Sequence, residues 1–329
     1  MRWNIIGIFV TSILVISTAF SILQMYNLGD GALPFYSTIN ITLDLVGMGV
    51  CIILLLTTVF DHRSNMATMY FMAMILFEGF ILLWDFEFWI NNGDPDRILW
   101  NKLVNYYLLG FIHLLLAAFW LYIGEIISNK TKAYEILQII YYAILAVGLL
   151  LILTNPWTDA IFIVDDTGTY VRQDYYWFTL LTPGLMLVVA MIAVLKYVDV
   201  SEKKLALCSY TILPIFAAII QSLFFGIGLI YIALLFSIML IYGNFYVERG
   251  RDIAEKQAEI VEQDVTLLTA QIQPYFLYRS LKAISEIDGT PPETVKALTE
   301  FNRDRRGNMN SFSQKNPIPF KEEMRHVDT

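Results

Sequence analysis

Five ionisable residues stand inside long apolar runs of this sequence: Asp44, Glu78, Asp85, Glu87 and His113. A charged side chain at bilayer depth is expensive, so each asks for a partner, a proton or a ligand. Asp44 falls about two turns into its run, and Glu78 and His113 fall near the middle of theirs. Asp85 and Glu87 approach the end of the run that holds Glu78, beside Trp84 and Trp89. Glu78, Asp85 and Asn91-Asn92 recur at spacings that keep most of them on one side of a helix. Two readings follow. In one, these residues line a polar pocket opening outward, where Glu78 and His113 pair and bind a ligand or sense protons. In the other, a buried hydrogen-bonded pair fixes helix packing, while Asp85 and Glu87 reach the wet interface. A second unusual stretch is Gln271-Ile272-Gln273-Pro274-Tyr275-Phe276-Leu277-Tyr278-Arg279-Ser280-Leu281, a proline inside a strongly helical pattern. Pro274 removes one backbone hydrogen bond and crowds the carbonyl of Ala270, so a kink is expected there.

The elements that position the first group are long and apolar. Of 329 residues, 57% are hydrophobic and only 16% charged, which places the chain among integral membrane proteins of the all-α class. Runs long enough to span a bilayer lie near 4–23, 36–60, 67–90, 101–124, 134–154, 176–196, 205–224 and 227–245. The last two are divided at Gly226-Ile227-Gly228. Lys and Arg collect in alternate loops: Arg2, Arg63, Lys130 and Lys132, Lys196 with Lys203 and Lys204, then Arg249, Arg251 and Lys256. By the positive-inside bias both termini are cytoplasmic, with eight crossings. If Arg2 and the following apolar core are instead a cleaved signal peptide, seven remain. The formal charge of −8 with no basic face argues against a nucleic-acid partner. Cys51 and Cys208 sit in apolar runs and read as core thiols. In the loop 155–175, Asp166-Thr167-Gly168-Thr169 between β-branched flanks predicts a small β-hairpin lid.

After Glu248-Arg249-Gly250-Arg251 the pattern becomes amphipathic. Ala254, Ala258, Val261, Val265, Leu268, Ile272 and Tyr275 follow alternating steps of four and three, the seam of a parallel dimeric coiled coil. Beyond Pro274 the apolar set changes phase, to Phe276, Leu277, Leu281, Ile284 and Ile287. Asp288-Gly289 is a turn, and Thr290-Pro291-Pro292-Glu293 is a capping box opening a second helix over about 291–313. The domain plan is therefore a membrane unit over 1–246, a coil over 247–272, a two-helix dimerisation hairpin over 273–316 and a linker over 317–329.

The stretch built on Gln271, Pro274, Tyr275, Phe276, Leu277 and Arg279 resembles the phosphoacceptor helix of LytS-type sensor histidine kinases, which reads roughly Q-I-x-P-H-F-L-(F/Y)-N-x-L. The text from Phe301 to Glu323 resembles the segment these kinases place between the bundle and the ATPase domain. The resemblance is specific over roughly 265–327 and architectural over the membrane part. It implies a bacterial inner-membrane sensor of a two-component system, with ATP and magnesium as cofactors in complete relatives and a response regulator as their partner. Here Tyr275 takes the place of the phosphoacceptor histidine and Arg279 that of the family's asparagine. A phenol is a poor nucleophile near neutral pH without an activating base. The chain also stops where an ATP-binding domain is expected, and it has no glycine-rich phosphate loop elsewhere. The expectation is a sensor without phosphotransfer of its own and without cofactor in this chain, acting as a homodimer or as a heterodimer with a complete kinase in the membrane lipid. The alternative is a polytopic transporter or channel with a cytoplasmic dimerisation coil. No metal-ligand spacing and no nucleophile–base–acid set is present in the sequence, so a membrane-embedded enzyme ranks last.

Overall fold

The computed structural model describes residues 7–9, 11–19, 35–60, 65–128, 130–223, 228–287, 289 and 291–299. A short apolar helix α1 (Gly7–Ala19) is followed by α2 (Phe35–Val59), α3 (Met66–Asn91) and a 3-10 turn (Pro95–Arg97) that leads into α4 (Ile98–Ile126). Then come α5 (Lys132–Thr158), strands β1 (Phe162–Val164) and β2 (Tyr170–Arg172), and helices α6 (Phe178–Tyr197), α7 (Ser201–Leu223) and α8 (Leu229–Ser285). Among the described residues, seven helices are long and apolar enough to cross a membrane, and α1 is shorter. The chain divides into two compact units, Met1–Tyr246 and Val247–Thr329, at the point where the sequence passes from apolar to charged.

In the first unit, α3 has its most extensive contacts with α4 and α2, and α5 packs mainly on α6. Local chemistry sets the ends of these helices. The Asn65 side chain accepts from the Thr68 amide at 2.8 Å and caps α3. Asp159, in the left-handed region with φ 47°, closes α5. The core is rich in stacked aromatics: Trp120 lies on Tyr141 at 4.3 Å between ring centroids, and Phe119 lies on Tyr210 at 4.0 Å. The Tyr141 hydroxyl donates to the Leu116 carbonyl at 2.5 Å, which ties α5 to α4. Much of the outward surface is apolar as well. On α5 alone Ile136, Ile139, Ile140, Val147, Leu150 and Leu153 are exposed. A contiguous belt of this kind is far larger than a water-exposed surface ordinarily carries.

The hairpin expected in the loop before α6 is present. β1 and β2 pair antiparallel, with Ile163 opposite Val171 and Phe162 opposite Arg172. Asp165 closes the turn by accepting from the Thr167 hydroxyl at 2.6 Å and from the Thr169 and Thr167 amides, both at 2.9 Å, and these bonds hold its carboxyl below the usual range. Burial pushes the Tyr170 phenol up.

In the second unit α8 is helical to Ser285. The helical backbone runs through Pro274, so the proline does not end the helix. Ala254, Ala258, Val261 and Val265 are exposed along it. Gly289 has φ +99°, as the expected turn requires, and residues 292–299 are helical. The rest of the second helix, to 313, and the text from Phe301 to Glu323 lie outside the described residues. So do the side chains of Gln271, Pro274, Tyr275, Phe276 and Leu277, whereas Arg279 is exposed.

Candidate functional site

Asp44 on α2 and Asp85 on α3 are both buried in the first unit and lie within electrostatic reach of each other. Asp85 Oδ2 accepts from Trp89 Nε1, one turn along α3, at 3.2 Å. Asn40 lies one turn from Asp44 on α2, and its Oδ1 accepts from the Gly228 amide, at the head of α8, at 2.8 Å. A Cβ on Gly228 would stand 3.3 Å from Asp85 Oδ2 and 3.6 Å from Asn40 Oδ1. Glycine thus lets the start of α8 come down on the carboxyl pair. The Tyr231 ring, near that same start, is within electrostatic reach of both acids.

Glu78 continues the file inward. It lies two turns before Asp85 on α3, about 10 Å along the axis at 1.5 Å per residue. It is fully buried, and neither carboxyl oxygen has a hydrogen-bond partner. Asp44 Oδ2 and the fully buried Tyr210 hydroxyl on α7 also have none. Glu78 interacts electrostatically with Asp44, with Tyr210 and with the Cys51 thiol on α2. A buried polar atom without a partner is uncommon and costs free energy, so four such atoms on three side chains call for a reason.

The other two sequence candidates lie elsewhere. His113 does not pair with Glu78. Its Nδ1 lies 2.9 Å from the Leu109 carbonyl and its Nε2 lies 3.0 Å from Thr182 Oγ1 on α6. A carbonyl only accepts, so Nδ1 carries a proton; the Thr182 hydroxyl that meets Nε2 also donates to the Phe178 carbonyl at 3.0 Å. Gly148 on α5 makes room for the ring. His113 is therefore a satisfied packing residue joining α4 and α6. Glu87 is buried rather than at a wet interface. Its Oε2 accepts from Trp100 Nε1 and Asn91 Nδ2, each at 3.1 Å, and Asn91 Oδ1 accepts from Arg97 at 2.7 Å.

Glu87 belongs to a polar latch that docks the hairpin. Asn92 Oδ1 accepts from the Tyr170 amide at 2.9 Å, and the Gly168 carbonyl accepts from Asn101 Nδ2 at 2.8 Å and the Gly93 amide at 3.0 Å. Asn155, at the end of α5, donates to the Phe162 carbonyl at 3.0 Å and accepts from the Ile161 amide at 2.7 Å.

Structure thus brings Asp44, Glu78 and Asp85 together and separates them from Glu87 and His113. It adds Asn40, Trp89, Gly228, Tyr231 and Tyr210. Asn40 and Trp89 stand four residues from Asp44 and Asp85, a spacing visible in the sequence. Gly228, Tyr231 and Tyr210 come from α8 and α7, and no spacing rule signals them. No group of three or more His, Cys, Asp or Glu among the described residues is placed to hold a metal ion. No family model, curated protein or solved structure matches the chain.

Proposed function

We propose that this chain is the membrane-embedded sensor of a bacterial two-component system of the LytS type. Its α8 carries a signal from a buried carboxyl site to a cytoplasmic dimerisation helix. One observation carries the reading: α8 starts against Asp85 and Asn40 and is helical to Ser285, into the charged segment with the heptad seam. The exposed apolar belt supports placement of α2–α7 and the Leu229–Val247 part of α8 in lipid. The Lys and Arg bias supports a cytoplasmic C-terminus with the hairpin outside. Tyr275 in the motif makes the role sensing rather than phosphotransfer. Output then passes through a second copy or a complete kinase, which holds the ATP and magnesium and addresses the response regulator.

Cysteine placed at Val261 or Val265 tests the seam, since both positions are exposed along α8 and both lie on it. Crosslinking between subunits in native membranes is expected at one or both. Failure at both removes the parallel coil. A second reading, a proton-coupled transporter, is favoured by the three buried carboxyls, because such groups also mark ion pathways. Acidification of proteoliposomes containing the full chain, dependent on Asp85, would replace the sensor reading with that one.

A further inference from the structure

Among the described residues, the three buried carboxyls meet no counter-charge. Asp44 interacts with Asp85 and Glu78, and Asp85 with Asp44 and Trp89. The ionisable groups around them are all acids, phenols or a thiol: Cys51 from α2, Tyr210 from α7, and Tyr231 from α8. Tyr170 of the hairpin and Tyr176 interact in turn with Tyr231. Among the described residues, helix α1 brings Leu14 against Gly79 and Thr18 against Met48. Of the basic side chains of α4, His113 is engaged by Thr182, and Lys102, near the helix start, is half-buried. Two or three carboxylates in such a place repel one another and cannot be hydrated, at a cost of several kcal/mol per ion. Something positive must neutralise them. A metal ion would need converging ligands, and no such set exists among the described residues. A proton needs only one oxygen, and Asp44 Oδ2 and both Glu78 oxygens are buried without a partner.

We propose that Asp85, Asp44 and Glu78 form a proton-binding site, in which the aspartates share one exchangeable proton and Glu78 holds another. All three are buried, and Asp44 and Glu78 keep oxygens without a partner. The unpartnered Tyr210 hydroxyl lies within electrostatic reach of Glu78. Each binding event forms one O–H bond on a carboxylate oxygen and needs no co-reactant. Release from the aspartate pair leaves negative charge at the start of α8, where the helix dipole favours it and tightens the Gly228 contact. That last consequence rests on the sensor reading; the proton site does not.

The test is infrared difference spectroscopy of the full chain in lipid vesicles, titrated from acid to alkali in H2O and D2O. Two protonated-carboxyl carbonyl bands that shift in D2O and fade on alkalinisation are expected. Asp85→Asn should remove one and Glu78→Gln the other, and exchange of sodium for choline should change neither. Only carboxylate bands in the wild type throughout would overturn the proposal. So would bands that survive both substitutions, or proton displacement by sodium, which would assign the site to a monovalent cation. The wild-type D2O shift and the Glu78→Gln spectrum decide the matter even if Asp85→Asn does not fold. Crosslinking at Val261 that fails while both bands titrate would remove the sensor reading and leave the proton site standing.

Discussion

Replacing Glu78 by methionine should make this protein more stable and less responsive. Glutamate and methionine have similar length and volume, so the fully buried position keeps its packing. What disappears is a carboxyl with two oxygens that have no partner. Each unsatisfied buried polar atom costs about 1–3 kcal/mol, and the two belong to one group, so the gain should be about 2–4 kcal/mol. For a unit of this size each kcal/mol moves the melting midpoint by roughly 2–4 °C, which gives a rise of roughly 4–16 °C. Glu78→Gln keeps an unpartnered polar group and should leave the midpoint near that of the wild type. The assay is thermal unfolding of the three proteins in the same detergent, paired with the infrared titration. A lower midpoint for Glu78→Met would refute the reasoning, because it would mean that the carboxyl holds the helices together. That outcome would favour the second of the two readings open from sequence, a carboxyl kept for packing.

Gly168→Ala should undock the hairpin, because φ is +78° there and the new Cβ would meet the Asp94 carbonyl, with the Asp94 amide at 2.9 Å. Strain and overpacking together should cost about 2–4 kcal/mol, read as faster amide exchange at Gly93 and Tyr170, whereas Gly93→Ala meets nothing closer than 3.9 Å and should carry only the strain of about 1–2 kcal/mol. Gly148→Ala should push the His113 ring off Thr182 and lower stability by about 1–3 kcal/mol, measured as a lower melting midpoint, without changing the carboxyl bands. Asp165 has its carboxyl held below the usual range by the turn bonds, so its contribution is full above the unfolded value and lost as pH falls through the folded one. The protection of the Thr167 and Thr169 amides, measured against their intrinsic exchange rate at each pH, should fall in strong acid, and Asp165→Asn should flatten that dependence.

The structure sorts the buried ionisable residues by their partners, and Glu78 and His113 do not pair. His113 and Glu87 are satisfied by Thr182, Trp100 and Asn91, as packing and latch groups. Asp44 and Glu78 are the ones that structure leaves with orphaned oxygens, and Asp85 lies within electrostatic reach of Asp44.

The amino-acid sequence by itself determined the elements. Apolar length specifies helices, and the break at Gly226-Ile227-Gly228 falls between the end of α7 and the start of α8. Asp165, Thr167, Gly168 and Thr169 specify the hairpin turn, since side chains so close in sequence bond within the turn itself. The same locality made Asn40 beside Asp44, and Trp89 beside Asp85, visible one helical turn away. Which helices meet was not legible, because nearly every face of α2–α7 and of the apolar start of α8 is apolar and periodicity cannot tell a lipid-facing stripe from a buried one. Only the tertiary structure decided that Asp44 meets Asp85 and that His113 turns to Thr182. It alone set the start of α8 on the carboxyl pair. Those pairings join residues 40 to 190 positions apart, and they follow from how helix surfaces interlock rather than from the spacing of residue types along the chain.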